Sequence, residues 1–379
     1  MVKVTNKLKR LHELTINSMR TYKDKDLYVF ACKFLIDFYE YSRKKFMEWS
    51  SKDLLKYRKC PICHSDKTFL VLDKSEIDGC KYYKCSCCDF VYMNPLPSED
   101  CYSEIYVTGY GGLDKWWYEK QIKYGYIDES LPESYPVLER LRGRQKAGVF
   151  LDYGCGTGRL LAKAEQIYDI YGVDIDDYRI QRARNRLKDF KGERILYLHE
   201  LDESVFLEKF DIIYSNQTLE HLLEPVAYLQ KFYKWLKPGG IVYLSFPASD
   251  SFAFSFLKND NSMSSLGHVS LFSSKSITYA LRAAGFEKVE IFHNCIDVTA
   301  TEFWKKLFNK NFLHRHCFIN HKIIVLALYP IMLITTAVMK VLNLMGILKG
   351  NYMDVFARKG RNIDSEDKFD ESEDAFRKN

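Results

Sequence analysis

Apolar residues recur at helical spacing through residues 27–49 (LYVFACKFLIDFYEYSRKKFMEW), with a basic face opposite, and predict an amphipathic helix. Packing against the rest of the chain is its expected role, in preference to contacting nucleic acid. A short strand-like run, FLVLD, then precedes a turn at Asp78-Gly79. From about residue 148 strand and helix patterns alternate. GVFLDYG reads as a buried strand, and Gly154-Cys155-Gly156-Thr157-Gly158 turns into a helix over RLLAKAEQI. DIYGVDID, RILYLHE, FDIIYSNQ, IVYLSFP and EKVEIFH are the following strands, and DYRIQRARNRL, EPVAYLQKFYKWL and SITYALRAAGF are helices between them. Lys237-Pro238-Gly239-Gly240 marks a helix stop with its turn glycines. Repeated βα units predict an open parallel sheet with helices on both faces, whose ligands sit at the carboxyl ends of the strands.

With 47% hydrophobic residues, 28% charged residues and only 9 prolines, the 379-residue chain is a folded protein of two or three units rather than a disordered polymer or a fibre. The formal charge of +6 is uneven: residues 1–59 hold 15 Lys/Arg against 7 Asp/Glu, while 362–379 hold 3 against 7. A general nucleic-acid-coating role is therefore excluded, and the basic arm is suited to phosphates or anionic lipid. MVKVTNKLKRLHEL has no apolar signal core, which points to the cytoplasm. Seven of the 11 cysteines crowd residues 60–101, a distribution that suits a metal site better than a disulfide framework. Two C-x2-C pairs, Cys60/Cys63 and Cys85/Cys88, are separated by 21 residues and can give four thiolates to a tetrahedral, structural Zn²⁺. Cys80 and Cys87 are spare and could replace a neighbour as ligand.

The G-x-G turn before a helix exposes backbone N–H groups that suit an anion. A dinucleotide fingerprint would have a small residue at its sixth position, where Arg159 stands, and Asp152 just before the loop would repel a pyrophosphate. A ligand carrying both a carboxylate and an ammonium group fits better. Asp174 ends the second strand, where its carboxylate can accept two ribose hydroxyls.

Four segments in order, LDYGCGTG (151–158), YGVDID (171–176), FDIIYSNQTLEHLLEP (210–225) and LKPGGIVYLSFP (236–247), resemble the motifs of class I S-adenosylmethionine (SAM)-dependent methyltransferases. The resemblance implies a Rossmann-like seven-stranded α/β sheet. It implies that Asp152, Gly154, Cys155, Gly156 and Gly158 hold the methionine part of SAM and Asp174 the ribose, with Ile175 and Asn216 beside them. The adenine-flanking residue, near His199 to Asp202, is not assigned, because that stretch does not match cleanly. The segment CPIC…YYKCSCCDFVYMNPLPSEDCYSEIY is similar to the zinc-binding module preceding sugar C-methyltransferases and enzymes encoded with bacterial surface-polysaccharide functions, with Asp89 where those usually have glycine.

Methyl transfer is an in-line displacement from an activated sulfonium, so positioning dominates and a base removes only the acceptor's proton. Glu220 and His221, directly after the fourth strand, and His268, in the loop after the fifth, are the catalytic candidates. The seventh strand of such a sheet is antiparallel and is expected at 352–359, leaving about 57 residues (295–351) in place of a short turn. Inside that insertion, IIVLALYPIMLITTAVM (323–339) has no charge. A 17-residue helix reaches about 26 Å, short of a roughly 30 Å hydrocarbon core, and Pro330 would kink it. An interfacial helix or hairpin, with membrane-surface contact through 323–348, and a buried cap or homodimer contact are the two readings.

The expected layout is a basic helical arm (1–59), a zinc-ribbon-like module (60–97), a methyltransferase domain (98–294, completed by 351–360), an apolar helical insertion (295–350) and an acidic disordered tail (361–379). The acceptor is expected to be a small molecule or glycan, such as a nucleotide-linked saccharide or a lipid-linked one presented at the inner membrane face. An RNA methyltransferase and a catalytically silent scaffold are the competing readings.

Overall fold

The computed structural model describes residues 25–123, 136–187, 194–198, 201–257, 265–294, 338–339, 341–343, 345 and 347–360. Most of the apolar run, the acidic tail, residues 1–24 and the 199–200 step lie outside the described residues.

The chain begins with helix α1 (Lys25–Ser51) and the hairpin β1 (Thr68–Lys74) and β2 (Cys80–Cys85), followed by β3 (Val91–Met93). Helices α2 (Glu99–Val107), α3 (Gly109–Lys123) and α4 (Pro136–Arg144) lead into β4 (Val149–Tyr153), α5 (Leu161–Ala164), β5 (Asp169–Asp174), α6 (Asp177–Arg186) and β6 (Ile195–Tyr197). Then come β7 (Phe210–Asn216), α7 (Pro225–Trp235), β8 (Leu236–Pro247), α8 (Phe252–Leu257), β9 (Ser270–Leu271), α9 (Ser274–Ala283), β10 (Lys288–Asn294) and β11 (Tyr352–Arg358).

The seven-stranded sheet has the order β10-β11-β8-β7-β4-β5-β6. Strands β4, β5, β6, β7 and β8 pair in parallel, and β11 is antiparallel to both β8 and β10. The order reverses at β4, whose chain turns left to β5 while β7 lies on its other side, so the carboxyl ends of β4, β5 and β7 open a crevice. Alternate residues face opposite cores, as strand geometry requires. Leu151, Tyr153, Ile213, Val242 and Leu244 pack against Leu229, Phe232 and Trp235 of α7 and Ile277 and Leu281 of α9. Phe150, Ile212, Tyr214 and Ile241 pack against Leu138 and Leu141 of α4, Leu161 of α5 and Ile180 of α6. Burial on both faces explains why these strands read as near-continuous apolar runs.

Two local expectations need correction. The helix expected over 159–167 is confined to Leu161–Ala164 and continues as turns to Tyr168, since the chain must re-enter the sheet at Asp169. Lys237 to Gly240 belong to β8 rather than to a free turn. Gly239 has φ +79° and the pairing with β7 slips between Phe210 and Ile212, so the glycines form a bulge at the strand's start.

The N-terminal residues form a second sheet, β1-β2-β3-β9, whose last strand comes from the part of the chain that builds the large sheet. Val91 pairs with Leu271 and Tyr92 with Ser270, and the Met93 N–H donates to the Val269 carbonyl at 2.9 Å. The core beneath this sheet draws on Phe38, Phe46 and Trp49 of α1, Tyr82 and Met93 of the hairpin, Ile105 of α2 and Leu266 of the loop before β9. The cysteine hairpin, the arm helix and the 265–271 loop therefore share one apolar core.

β10 runs parallel to β8, so its last residue, Asn294, lies at the same edge of the sheet as the glycine turn after β4. The chain leaves there and returns at Tyr352, which pairs with Asn294.

Candidate active site

The glycine turn is shaped by backbone conformations that side chains resist. Gly154, Gly156 and Gly158 have φ of +86°, +54° and +72°. The N–H groups of Gly154 and Cys155 donate to the Val173 carbonyl at 2.7 and 3.0 Å, fastening the turn to β5. Asp174, at the end of β5, accepts from the Gly156 N–H at 2.8 Å through one oxygen and from the Asp176 N–H at 3.0 Å through the other. Asp152 is buried, and desolvation first, then the Asp174 charge, pushes its carboxyl well above the usual range. A ligand ammonium near this acid would relieve that burden. Cys155 points away from the crevice, since a Cβ on Gly172 would come within 3.0 Å of its sulfur, and its thiol is held protonated by burial. Ile175 is half-buried after Asp174, and Asn216 is exposed at the end of β7.

The loop after β7 is tied to this turn. Ser215 Oγ donates to the Tyr153 carbonyl at 3.0 Å, and Thr218 Oγ1 donates to the same carbonyl at 3.4 Å. A Cβ added to Gly154 would lie 2.2 Å from Thr218 Oγ1, a direct measure of how closely the two loops approach. The next turn, Leu219–His221, carries two of the catalytic candidates. Glu220 is fully buried, and neither carboxylate oxygen has a hydrogen-bond partner among the described residues. Burial pushes its pKa up to about 8. His221 is pulled down to about 4, mainly by desolvation, so its imidazole is neutral at physiological pH.

His268 completes the group. One ligand atom from each of Glu220, His221 and His268 lies within 4.8 Å of the others, and the two imidazole centroids are 5.0 Å apart. His268, distant in sequence, is thus brought to Glu220 and His221 beside the glycine turn.

What holds the His268 loop in place is a set of tyrosines from the N-terminal sheet and α2. Tyr82 Oη donates to the carbonyls of Ser265 and His268 at 2.7 and 2.9 Å. Tyr102 Oη donates to the Leu266 carbonyl at 2.9 Å, and Tyr106 Oη donates to the Gly267 carbonyl. Tyr106 Oη also lies 2.9 Å from His221 Nδ1, which itself contacts the Gly267 carbonyl. These tyrosines are absent from the sequence-based site; the i, i+4 spacing of Tyr102 and Tyr106 marks one helix face but not the loop it meets. Burial raises the pKa of the Tyr82, Tyr102 and Tyr106 phenols, keeping them as neutral donors.

Helix α3 is a second unanticipated contributor. Its start is broken at Tyr110, Gly111 and Gly112, which all have positive φ, and the helix then runs toward the glycine turn. Tyr118 Oη is 3.1 Å from Thr157 Oγ1, and Asp114 pairs with Arg179, whose Nε also lies 3.5 Å from Asp176.

On the far side of the His268 loop, Cys60, Cys63, Cys85 and Cys88 place their four sulfurs within 4.8 Å of one another. The Cys60–Cys88 and Cys63–Cys85 pairs are each 3.5 Å apart. A ZnS4 tetrahedron with bonds of about 2.3 Å has edges of about 3.8 Å, so the four thiols fit zinc with small adjustments. The hydrogen bond shared with Cys88 holds the Cys60 thiol below its usual range. The spare cysteines are elsewhere: Cys80 is buried beside Lys74 and Asp78, and the Cys87 thiol faces Ser65 Oγ at 3.3 Å.

Comparison with known proteins follows the same division. The family model of a methyltransferase domain matches residues 127–291. The chain is 32% identical over 139 residues to phosphoethanolamine N-methyltransferase 1 of Triticum aestivum, covering 34% of this chain and 26% of that protein. It is 25% identical over 135 residues to a ubiquinone biosynthesis O-methyltransferase of Leptothrix cholodnii, covering 35% and 57%. Among solved structures, the SAM complex of Haemonchus contortus phosphoethanolamine N-methyltransferase 2 is similar with a TM-score of 0.43 and 17% identity, over 72% of this chain and 63% of that one. The chain spans about a quarter to about half the length of these curated relatives. It carries a SAM-dependent methyltransferase domain of class I, with a mostly parallel seven-stranded sheet.

Proposed function

We propose that the protein is a SAM-dependent methyltransferase acting on a small-molecule or glycan acceptor. The observation that carries this is the meeting, at one crevice, of the glycine turn and Asp174 with Glu220, His221 and His268. Bound there, SAM supplies an activated methyl group. Asp174 holds the ribose hydroxyls, and Asp152 balances the ammonium group beside the N–H-lined turn. The acceptor's proton leaves toward the Glu220–His221–His268 group; neutral His221 can take it, whereas Glu220 is held protonated at neutral pH. Tyr106 and the Gly267 carbonyl orient the imidazole.

Zinc on Cys60, Cys63, Cys85 and Cys88 is structural in this reading, because all four positions are filled by protein. It stiffens the hairpin that carries Tyr82, next to the β3 strand that pairs with β9, and so steadies the His268 loop.

The relatives are named for phosphoethanolamine N-methylation and for O-methylation in ubiquinone biosynthesis, which supports a small acceptor. A cavity of about 670 Å³ between the hairpin and the end of β8 is lined by Leu72 and Phe254 together with Lys84 and Lys275, which pair with Asp89, and Lys349, which pairs with Asp250. Its volume suits a ligand, and its mixed lining suits an acceptor with polar and apolar portions, such as a nucleotide- or lipid-linked saccharide. The insertion at 295–350 leaves from this edge. No helix among the described residues is long and apolar enough to cross a membrane; surface contact through 323–348 belongs to the proposal.

The test is release of S-adenosylhomocysteine with sugar-nucleotide and lipid-linked acceptors. His221→Ala and His268→Ala are expected to lower turnover by about a hundredfold while SAM affinity holds, the scale of losing proton-transfer assistance. Unchanged turnover in both variants would remove the cluster from the reaction.

A further inference from the structure

Glu220 poses a problem that methyl transfer alone leaves unanswered. Its side chain is fully buried, and both oxygens are without hydrogen-bond partners among the described residues. Buried carboxyls in folded proteins are paired, hydrogen-bonded or bound to metal. The metal-ligating groups gathered with it are two imidazoles, His221 and His268.

We infer that Glu220, His221 and His268 form a binding site for a divalent first-row transition-metal cation, separate from the cysteine site. Two histidines and one carboxylate on one side of an ion, with the remaining positions open, are a recurrent donor set for such cations. The outer shell has the form that ligating imidazoles adopt: His221 Nδ1 is engaged by the Gly267 carbonyl and by Tyr106 Oη, which fixes the ring. The ligand atoms, all within 4.8 Å of one another, need to close to about 3 Å for metal–ligand bonds near 2.1 Å. The turn after β7 fixes Glu220 and His221, and the Tyr82 bond to the His268 carbonyl fixes the His268 backbone, so closure falls to rotation of the half-buried imidazoles.

The cation's role depends on the proposed function, although its binding does not. Set beside the glycine turn, its open positions would take an acceptor oxygen and lower that oxygen's pKa. A nitrogen lone pair that holds a cation cannot also take a proton, so the histidines then act on the acceptor through the ion.

The experiment titrates Co²⁺ into the full chain as purified, with any zinc left on the cysteines. Zinc is held more tightly than cobalt by such sites, so it stays in place. The expected result is one added cobalt whose visible d–d bands appear without an intense thiolate-to-cobalt band. Glu220→Gln and His268→Ala should each weaken binding by more than about tenfold, the effect already produced by altering outer partners of such ligands. His268→Ala, on a half-buried loop, keeps the test valid if Glu220→Gln does not fold. Absence of cobalt binding, binding that survives both substitutions, or cobalt seen only with thiolate ligation would each overturn the inference. A parallel SAM titration reports separately on the methyltransferase reading: cobalt binding with no SAM binding would overturn that reading and leave the metal site standing.

Discussion

Gly154→Ala is expected to lower SAM affinity by about a hundredfold or more, equivalent to about 3 kcal/mol. Two costs combine at this position. The residue sits at φ +86°, where a Cβ costs roughly 1–2 kcal/mol. The added carbon would also lie 2.2 Å from Thr218 Oγ1 and 3.1 Å from its Cγ2. Threonine is stiff at χ1, and its hydroxyl is tied to the Tyr153 and Asn216 carbonyls, so the clash is relieved by displacing a loop. Overpacking of this kind costs about 1–3 kcal/mol. Gly112 provides the comparison, because it too has φ +86° but nothing within 4 Å of an added Cβ. Gly112→Ala should pay the backbone cost alone. Isothermal calorimetry decides: SAM affinity for Gly154→Ala within about threefold of the parent would show that the turn does not cradle the cofactor.

The second large effect is expected at the cysteines. Cys88→Ser should strip zinc from the protein and unfold the hairpin with it. Structural zinc sites contribute about 10–16 kcal/mol in isolated fingers, as much as a whole domain's stability. Cys60, Cys85 and Cys88 are fully buried in the same core as Phe90 and Tyr92, so the loss is not confined to the surface. Because β3 pairs with β9 and Tyr82 holds the Ser265 and His268 carbonyls, release of the hairpin also frees the loop that carries His268. Turnover should collapse while the glycine turn, on another part of the sheet, still binds SAM. Zinc content, thermal melting with and without chelator, and calorimetry measure the three parts. A Cys88→Ser protein that melts with the parent, from a parent that contains no zinc, would contradict the assignment.

How much of this was legible in the sequence follows from the range of the interactions. The strands of the large sheet are buried on both faces, so each announces itself as a short apolar run, and the glycine turn is a local signature. Asp174 could be placed because strand and turn lengths put it at the end of β5. Glu220 and His221 could be placed because they follow β7 directly. The pairing of Val91 with Leu271 could not, since β9 is two residues long and has no periodicity of its own. Nor could the roles of Tyr82, Tyr102 and Tyr106. Their partners are backbone carbonyls, which every residue supplies, so nothing in the sequence marks the 265–268 loop as their target. The Asp114–Arg179 and Tyr118–Thr157 contacts are hidden for the same reason: each joins segments whose distance is set by the fold. The short α5 and the bulge at Gly239 are cases in which the sheet's geometry overrode a local preference for a longer helix or a free turn.

The central claim is that the crevice at β4, β5 and β7 binds SAM, and calorimetric titration of the full chain with SAM tests it most directly. Saturable one-to-one binding, competed by S-adenosylhomocysteine and lost in Gly154→Ala, is the expected result. A folded protein that gives no binding heat with either compound, by a method that registers a known methyltransferase under the same conditions, would contradict it.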